Sequence, residues 1–385
     1  MSISMSMPLR DRRVGLLAGL EAASICLTPT FFSIHMPQTA LVIIARDEER
    51  SIARCIDSVK DFVDEVLVLD TGSVDRTMEI ARSCGAQVHR FEWCDDFAAA
   101  RNRALDLADA NWNLVLDADE WLVEGGAWLA GLPTMERQLG VADVQSLYEM
   151  GVTGAVSRSR ITRLLPRGVR YQGVVHEQPA SDLPRVLVPL VIRHDGYLPE
   201  QMSRKQGRNQ RLLLQELSRN PRDAYINYQL GVDFELNRDF SNACAHYGVA
   251  MEQLEVSSGY EHDLCVRHLY CLGQAGRHEE GLALAQAQMP KWQDSPDFFF
   301  TLGGVLLDAA IAKLDGQVEH WLSMAQASWE RCLEIGEVDA GPHGGVAGRG
   351  SYLAAHNLAV MHEQLGNLDE ARALRLRHPM PASDS

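Results

Sequence analysis

The stretch Asn111–Leu122 holds two carboxylates separated by one residue, Asp117 and Asp119. They follow the short apolar run Leu114-Val115-Leu116, which reads as a buried strand. An isolated carboxylate is costly to bury. A hard divalent cation with oxygen ligands removes that cost, and a cation so placed also holds substrate phosphates. Asp70 likewise ends an apolar run, Val66–Leu69. Ligands of open α/β sheets bind at the carboxyl ends of strands, so Asp70, Asp117 and Asp119 are expected to meet in one crevice. The competing reading of Asp70 is a local cap on the turn through Gly72 and Ser73. Two later clusters, His176-Glu177 and Arg193-His194-Asp195-Gly196-Tyr197, each follow a β-like run. Neutral imidazole is a common metal ligand, so His194 can complete a site with the acids. Glu177 can serve as a general base if partial burial lifts its pKa. A structural hydrogen-bonding role for both histidines stands beside these readings.

The elements that must position these groups follow from hydrophobic patterning. Ala40–Ile44 is a continuous apolar run, as in a central parallel strand covered on both faces. Asp47 is expected to cap a helix with acidic Glu48 and Glu49 in its first turn and Ile52, Cys55, Ile56 and Val59 on its buried face. Asp75 opens a further helix that stops at Gly85, Ala86–Phe91 is a third strand, and a helix from Asp96 to Ala108 carries Arg101, Asn102 and Arg103. Alternating strands and helices give a doubly wound, Rossmann-like, mostly parallel sheet with helices on both faces. From Val141 to Tyr197 shorter β-like runs follow: Val144–Tyr148, Arg160–Leu165, Val169–Val175 and Arg185–Ile192.

Beyond Tyr197 the pattern is helical only. Gln201–Ser218 is amphipathic, with Arg204, Lys205, Arg208 and Arg211 on what reads as a solvated basic face; guidance of a phosphate-bearing donor is the alternative. From Ala224 an internal repeat appears: Leu230, Gly231, Phe234, Ala243, Tyr247 and Ala250 occupy the large, small and seam positions of a tetratricopeptide unit. Degenerate copies carry Leu269, Leu272, Gly276, Gly281 and Ala285, then Leu302, Gly303, Ala325, Trp329 and Cys332 with an insertion, then Leu358, Ala359, Gly366 and Ala371. Such pairs stack into an all-α superhelix with a concave surface. Gly341–Gly350 reads as a loop before the last copy. The expected organisation is an extension over 1–37, an α/β domain over 38–200, a linker helix over 201–220 and repeats over 221–380. The extension faintly resembles a signal peptide, but Glu21 interrupts its apolar stretch, and Met36 is an alternative start.

A chain of 385 residues with 46% hydrophobic and 23% charged residues has the composition of a soluble globular protein. Its net charge of −16 argues against a general nucleic-acid binder, because affinity for phosphate backbones comes from basic groups. Eight cysteines without a C-x-x-C pair read as buried thiols of a reducing, cytoplasmic setting. No run of 18 apolar residues suggests a membrane span.

With these residues in view, the first 200 positions resemble family 2 glycosyltransferases of bacterial type. The matching segments are Ile43–Glu49, Leu69–Thr77, Phe97–Asn102 and Leu116–Glu120, and Val175-His176-Glu177 with His194–Tyr197 ahead of the repeats resembles a subgroup. That subgroup includes peptide S-glycosyltransferases and lipopolysaccharide-core enzymes. The resemblance implies a GT-A fold, a nucleotide-sugar donor, UDP-linked, and a peptide, lipid or glycan acceptor, with transfer by inversion. It implies that Ala45, Arg46, Glu48, Asp70, Thr71, Arg101, Asp117 and Ala118 line the donor site, and that Asp117, Asp119 and His194 hold Mg²⁺ or Mn²⁺, Asp119 most directly. Where many members carry a second acid after the strand, this chain has Thr71, and no Glu-Asp or Asp-Asp pair follows the metal motif. His176 and Glu177 stand in as the catalytic pair. The repeats would select the acceptor or a protein partner. Two other classes stay open: a repeat-based scaffold with an inert α/β half, and a nucleotidyltransferase. The latter usually opens with a Gly-rich basic loop, and Ile44-Ala45-Arg46-Asp47 has no glycine.

Overall fold

The structure, a computed structural model, describes residues 38–147, 156–194, 207–254, 258–313, 318–338 and 345–381. The expectations for 1–37, for Asp195, Gly196 and Tyr197, for Arg204 and Lys205 and for 341–344 lie outside the described residues. Met36–Ser385 forms one compact unit that holds both the sheet and the helices after it.

Strands β1 (Thr39–Ala45), β2 (Glu65–Asp70), β3 (Gln87–Arg90) and β4 (Trp112–Asp117) run parallel in the order β3-β2-β1-β4. Alternation along β1 explains its unbroken apolar run. Leu41, Ile43 and Ala45 enter one core with Cys55 and Ile56 of α1 (Ile52–Asp57), while Ala40 and Val42 enter the opposite core with Ala100, Ala104 and Leu105 of α3 (Phe97–Ala108). Asp96 caps α3, its side chain accepting from the Ala99 N–H at 2.9 Å. Helix α2 (Thr77–Ser83) connects β2 to β3.

The second half of the sheet is mixed. β5 (Glu120–Glu124), β6 (Leu139–Leu147), β7 (Val156–Pro166) and β10 (Arg185–His194) continue it in the order β4-β7-β6-β10-β5. β6 and β10 pair parallel, and the other pairs there are antiparallel: β7 with both β4 and β6, and β5 with β10. β8 (Arg170–Gln172) and β9 (Gln178–Ala180) form a small separate ribbon.

Asp47 does not cap the first helix, which begins only at Ile52. Asp47 sits at φ 54°, in the left-handed region, and its Oδ1 accepts from the Val74 N–H at 2.8 Å. The two loops after β1 and β2 are laced together: Asp47 N–H donates to Ser73 Oγ at 2.9 Å and Glu48 N–H to Thr77 Oγ1 at 2.7 Å. The polar side chains of one loop thus satisfy backbone donors of the other, which a cap reading based on local spacing misses.

Helix α4 (Arg208–Arg219) is amphipathic as expected, with Arg211 exposed on its basic side and Arg208 half-buried. Leu212 and Leu213 are buried with Val175 and Leu230, Arg211 pairs with Asp95 at 2.8 Å, and Arg208 lies over the Phe97 ring at 5.0 Å. Helical pairs follow: α5 (Ala224–Leu236) with α6 (Phe240–Glu252), α7 (Glu261–Gln274) with α8 (His278–Gln288), α9 (Pro296–Lys313) with α10 (Val318–Ile335), and α11 (Tyr352–Gln364) with α12 (Leu368–Arg377). The expected insertion in the third pair appears as two helices of 18 residues each. Gly345–Val346, read as loop, forms β11 and pairs antiparallel with β7 at Arg158 and Ser157. The Asp297 carboxylate fixes that return by accepting from the Val346 N–H at 3.1 Å and from Arg349 at 2.6 Å.

Gly231 lets α5 and α6 close: a Cβ there would lie 2.3 Å from Tyr247 Cε1. Tyr247 is fully buried and cannot retreat into space. Gly231→Ala is therefore expected to destabilise the repeats by about 1–3 kcal/mol, read as an earlier urea midpoint for loss of helical signal. An unchanged midpoint would show that the pair can slide apart at no cost.

Candidate active site

Sheet register brings the strand-tip acids together. Ala45 stands opposite Asp70, and Ile44 opposite Asp117, so β2, β1 and β4 deliver both acids to one edge, two strand spacings of about 4.8 Å apart. Asp70 is 2% exposed. Its Oδ1 accepts from the N–H groups of Gly72 (3.1 Å) and Ser73 (3.0 Å), the local cap, whereas its Oδ2 is buried with no partner among the described residues. The cap reading of Asp70 is met by Oδ1, and Oδ2 is the oxygen left for the crevice reading. Thr71 is tied to the Ala45 carbonyl by its N–H at 2.9 Å and its hydroxyl at 3.2 Å. Arg46 is exposed beside them, and Glu48 Oε2 accepts from Ser51 at 2.8 Å. Burial and the nearby charge of Arg46 lower the Arg208 pKa, while Glu48 raises it, so α4 reaches this same loop.

Asp117 is held by two guanidiniums that a local reading cannot pair. Arg101 Nη2 donates to its Oδ1 at 2.6 Å and Arg163 Nη2 to its Oδ2 at 3.0 Å. Burial works to raise the Asp117 pKa, and the two arginines outweigh it, holding the carboxyl well below the usual carboxylate range. Arg163 Nη2 also binds the Glu120 carboxylate, whose pKa burial raises. Arg163 belongs to the site but carries no motif, whereas Glu120 closes the matched segment Leu116–Glu120 without an assigned role. The one available signal is a charged residue inside the apolar run Ile161–Leu165. Asp117, expected as a metal ligand, has both oxygens on arginines in this structure.

These pairs set a pH dependence. A carboxyl held below its unfolded value, about 3.9, contributes stability that is complete above that pH and is lost as pH falls through the folded value. Asp117→Asn should therefore flatten the acid limb of stability, measured by urea unfolding between about pH 2 and 5. An acid limb as steep as that of the unaltered chain would remove Asp117 from this account.

Asp119 and His194 form the second half of the site. Asp119 is 4% exposed, and its Oδ2 lies 3.4 Å from His194 Nε2 at the end of β10, where His194 pairs with Glu120 of β5. Among the described residues no set of three His, Cys, Asp or Glu side chains forms a ready-made cation cage. Magnesium is usually held by one or two carboxylates plus phosphates and water. Two donors at right angles around such a cation stand about 3 Å apart, given bonds of about 2.1 Å. Asp119 with His194 fits that separation. Ala118 between the two acids is buried.

The third group is the loop before β9. Glu177, with a side chain 8% exposed, forms a short ion pair with Arg101 Nε. That pair spends one Glu177 oxygen on holding Arg101. Arg101 also lies over the Tyr171 ring at 5.4 Å, and burial pushes that phenol up to about 12. Arg101 Nη1 and Arg163 Nε are buried without a partner, so two donors remain unspent at the crevice. His176 adopts φ 53°, and burial lowers its pKa, which keeps it neutral near pH 7.

Residues 40–183 match the profile of glycosyl transferase family 2. A TPR repeat-containing protein of Synechococcus elongatus is 37% identical over 217 residues, covering 52% of this chain and 53% of that protein. The SPbeta prophage-derived glycosyltransferase SunS of Bacillus subtilis is 31% identical over 188 residues, covering 47% of this chain and 44% of its own. The chain thus spans about half the length of the curated relatives it matches. Among solved structures, the glucosyl-3-phosphoglycerate synthase of Mycobacterium tuberculosis with Mn²⁺, UDP and glucosyl-3-phosphoglycerate is 29% identical. It covers 30% of this chain and 45% of its own at a TM-score of 0.24, too low to carry a structural argument. No helix among the described residues is long and apolar enough to cross a membrane.

Proposed function

We propose that this chain, which carries a family 2 glycosyltransferase domain over residues 40–183, moves a sugar from a nucleotide-sugar donor to a peptide, lipid or glycan acceptor with inversion. The observation that supports this reading most is the crevice itself. A buried carboxylate oxygen of Asp70 lacks a partner, two arginine nitrogens lack acceptors, and all three lie on residues joined to adjacent strand ends. Unsatisfied buried donors and acceptors are costly, and a molecule with hydroxyls at one end and a diphosphate at the other would satisfy both kinds.

In this reading Asp70 Oδ2 accepts a hydroxyl or N–H of the nucleoside, against the backbone of Ala45 and Arg46. Arg101 and Arg163, fixed by Asp117, Glu120 and Glu177, present positive charge where the departing diphosphate gathers negative charge. Asp119 and His194 would hold Mg²⁺ or Mn²⁺, which when bound supplies Lewis-acid stabilisation of the leaving group. His176, kept neutral by burial, takes the acceptor's proton, and Glu177 holds Arg101. The helical repeats offer the acceptor or a protein partner its surface, and the setting is cytoplasmic.

UDP-linked sugars are the first donors to test. The full chain with Mn²⁺ is expected to release UDP from at least one of them, and to stop when the metal is chelated. No release from any nucleotide sugar, together with no calorimetric binding of any nucleoside diphosphate, would favour a scaffold.

A further inference from the structure

The first repeat hydrogen-bonds to the loop of the candidate site through the Tyr225 side chain. Tyr225 stands in the first turn of α5, where the Asp223 side chain caps the helix by accepting from the Ile226 N–H at 2.8 Å. The Tyr225 hydroxyl donates to the His176 carbonyl at 3.2 Å and accepts from Gln178 Nε2 at 2.9 Å. Gln178 Nε2 lies 3.3 Å from that same carbonyl, so the three groups form a closed triangle. Burial pushes the Tyr225 phenol up to about 12, so it stays a protonated donor.

His176 needs such a hold. Its left-handed backbone is one that residues with a side chain seldom adopt unless the surroundings fix it. Val174 and Val175, just before it, pack with Leu212, Leu213, Leu230 and Ile226 of the helical region. The Val174 carbonyl also accepts from the Phe97 N–H at the start of α3 at 2.8 Å. The residue after His176 is Glu177, and Glu177 sets Arg101, which in turn sets Asp117. The order of dependence therefore runs from a repeat helix, through a turn, to the charge cluster at the strand tips.

We infer that Tyr225 is a positioning residue: its hydroxyl holds the His176 turn so that Glu177 keeps Arg101 aimed at the crevice, which makes the first repeat a working part of the active site. This rests on the function proposed above. The rest of the first repeat is built to keep the tyrosine still. Its ring meets that of Tyr260 edge-on at 5.4 Å and lies 6.1 Å from that of Tyr228, whose own hydroxyl donates to Asp263 at 2.6 Å. Arg267 completes that anchor by donating to Asp263 at 2.6 Å and to Glu235 at 2.9 Å.

The test is Tyr225→Phe in the full chain, which deletes the hydroxyl and keeps the ring. Loss of one such hydrogen bond corresponds to about a tenfold change. We expect kcat for nucleotide-sugar turnover to fall about tenfold while KM for the donor and the melting temperature stay the same. Amide exchange over Val174–Gln178 should quicken by about tenfold, with Ala40–Ile44 unchanged. Gln178→Leu, which removes the other arm of the triangle, should act in the same direction, and the double variant should lose less than the product of the two. Unchanged kcat and unchanged exchange would overturn the inference, as would a loss seen in KM and melting temperature alone. A parent chain that turns over no nucleotide sugar would contradict the proposed function instead, and the exchange measurement would still decide whether Tyr225 holds the turn.

Discussion

Asp119→Ala is expected to cut nucleotide-sugar turnover about 10³-fold, the scale seen when a group that stabilises developing charge is removed. Asp119 is nearly buried, and its Oδ2 lies 3.4 Å from His194 Nε2. A metal held by this pair loses its one dedicated carboxylate when Asp119 is replaced, because both oxygens of Asp117 are already on Arg101 and Arg163. The fold should survive. Asp117, Asp119 and Glu120 crowd negative charge into four residues, and removing one relieves repulsion without stranding a cation. UDP release and a thermal melt of the same preparation check both halves. Turnover within about tenfold of the parent chain would remove Asp119 from the chemistry.

Arg163→Met has the largest expected effect on stability, about 3–5 kcal/mol lost from the α/β domain. Methionine fills much of the same volume, so the loss is electrostatic. Arg163 is 7% exposed and is shared by Asp117 and Glu120, and Glu120 is 2% exposed. Without it Glu120 is a buried carboxylate that has lost its guanidinium partner, and its pKa, already raised by burial, rises further. A folded pKa raised above the unfolded value destabilises most at high pH, and the penalty fades as pH falls toward the unfolded value of about 4.3. The deficit should therefore be larger at about pH 7.5 than at about pH 5, measured by urea unfolding. A loss below about 1 kcal/mol, or one independent of pH, would mean that the triad is held by packing and not by charge.

The parts of this site that could be read from the chain are those carried by local pattern. The apolar runs ending at Asp70 and Asp117 became neighbouring strands with both acids at one edge. The helix expected from Asp96 to Ala108 forms, with Asp96 as its cap, and Gly231 faces Tyr247 as the repeat requires. What escaped was set by pairing between distant segments. Arg163 meets Asp117 across 46 positions, and Glu177 meets Arg101 across 76. Glu120 had no role assigned beyond closing the segment Leu116–Glu120, and it opens β5 and is buried against β7 and β10. Asp47 looked like a helix cap because its spacing was right, and the neighbouring loop claimed it first. β11 had no apolar pattern to betray it, since it is two residues docked by Asp297.

The central claim is that Asp70, with Asp119 and His194, receives a nucleoside diphosphate together with a divalent cation. Isothermal titration of UDP into the full chain, with and without Mn²⁺ and repeated on Asp70→Ala and Asp119→Ala, tests it most directly. The account predicts saturable binding that requires the metal and is lost in both variants while their melts stay cooperative. Binding that ignores the metal, or that persists in both variants, would contradict it.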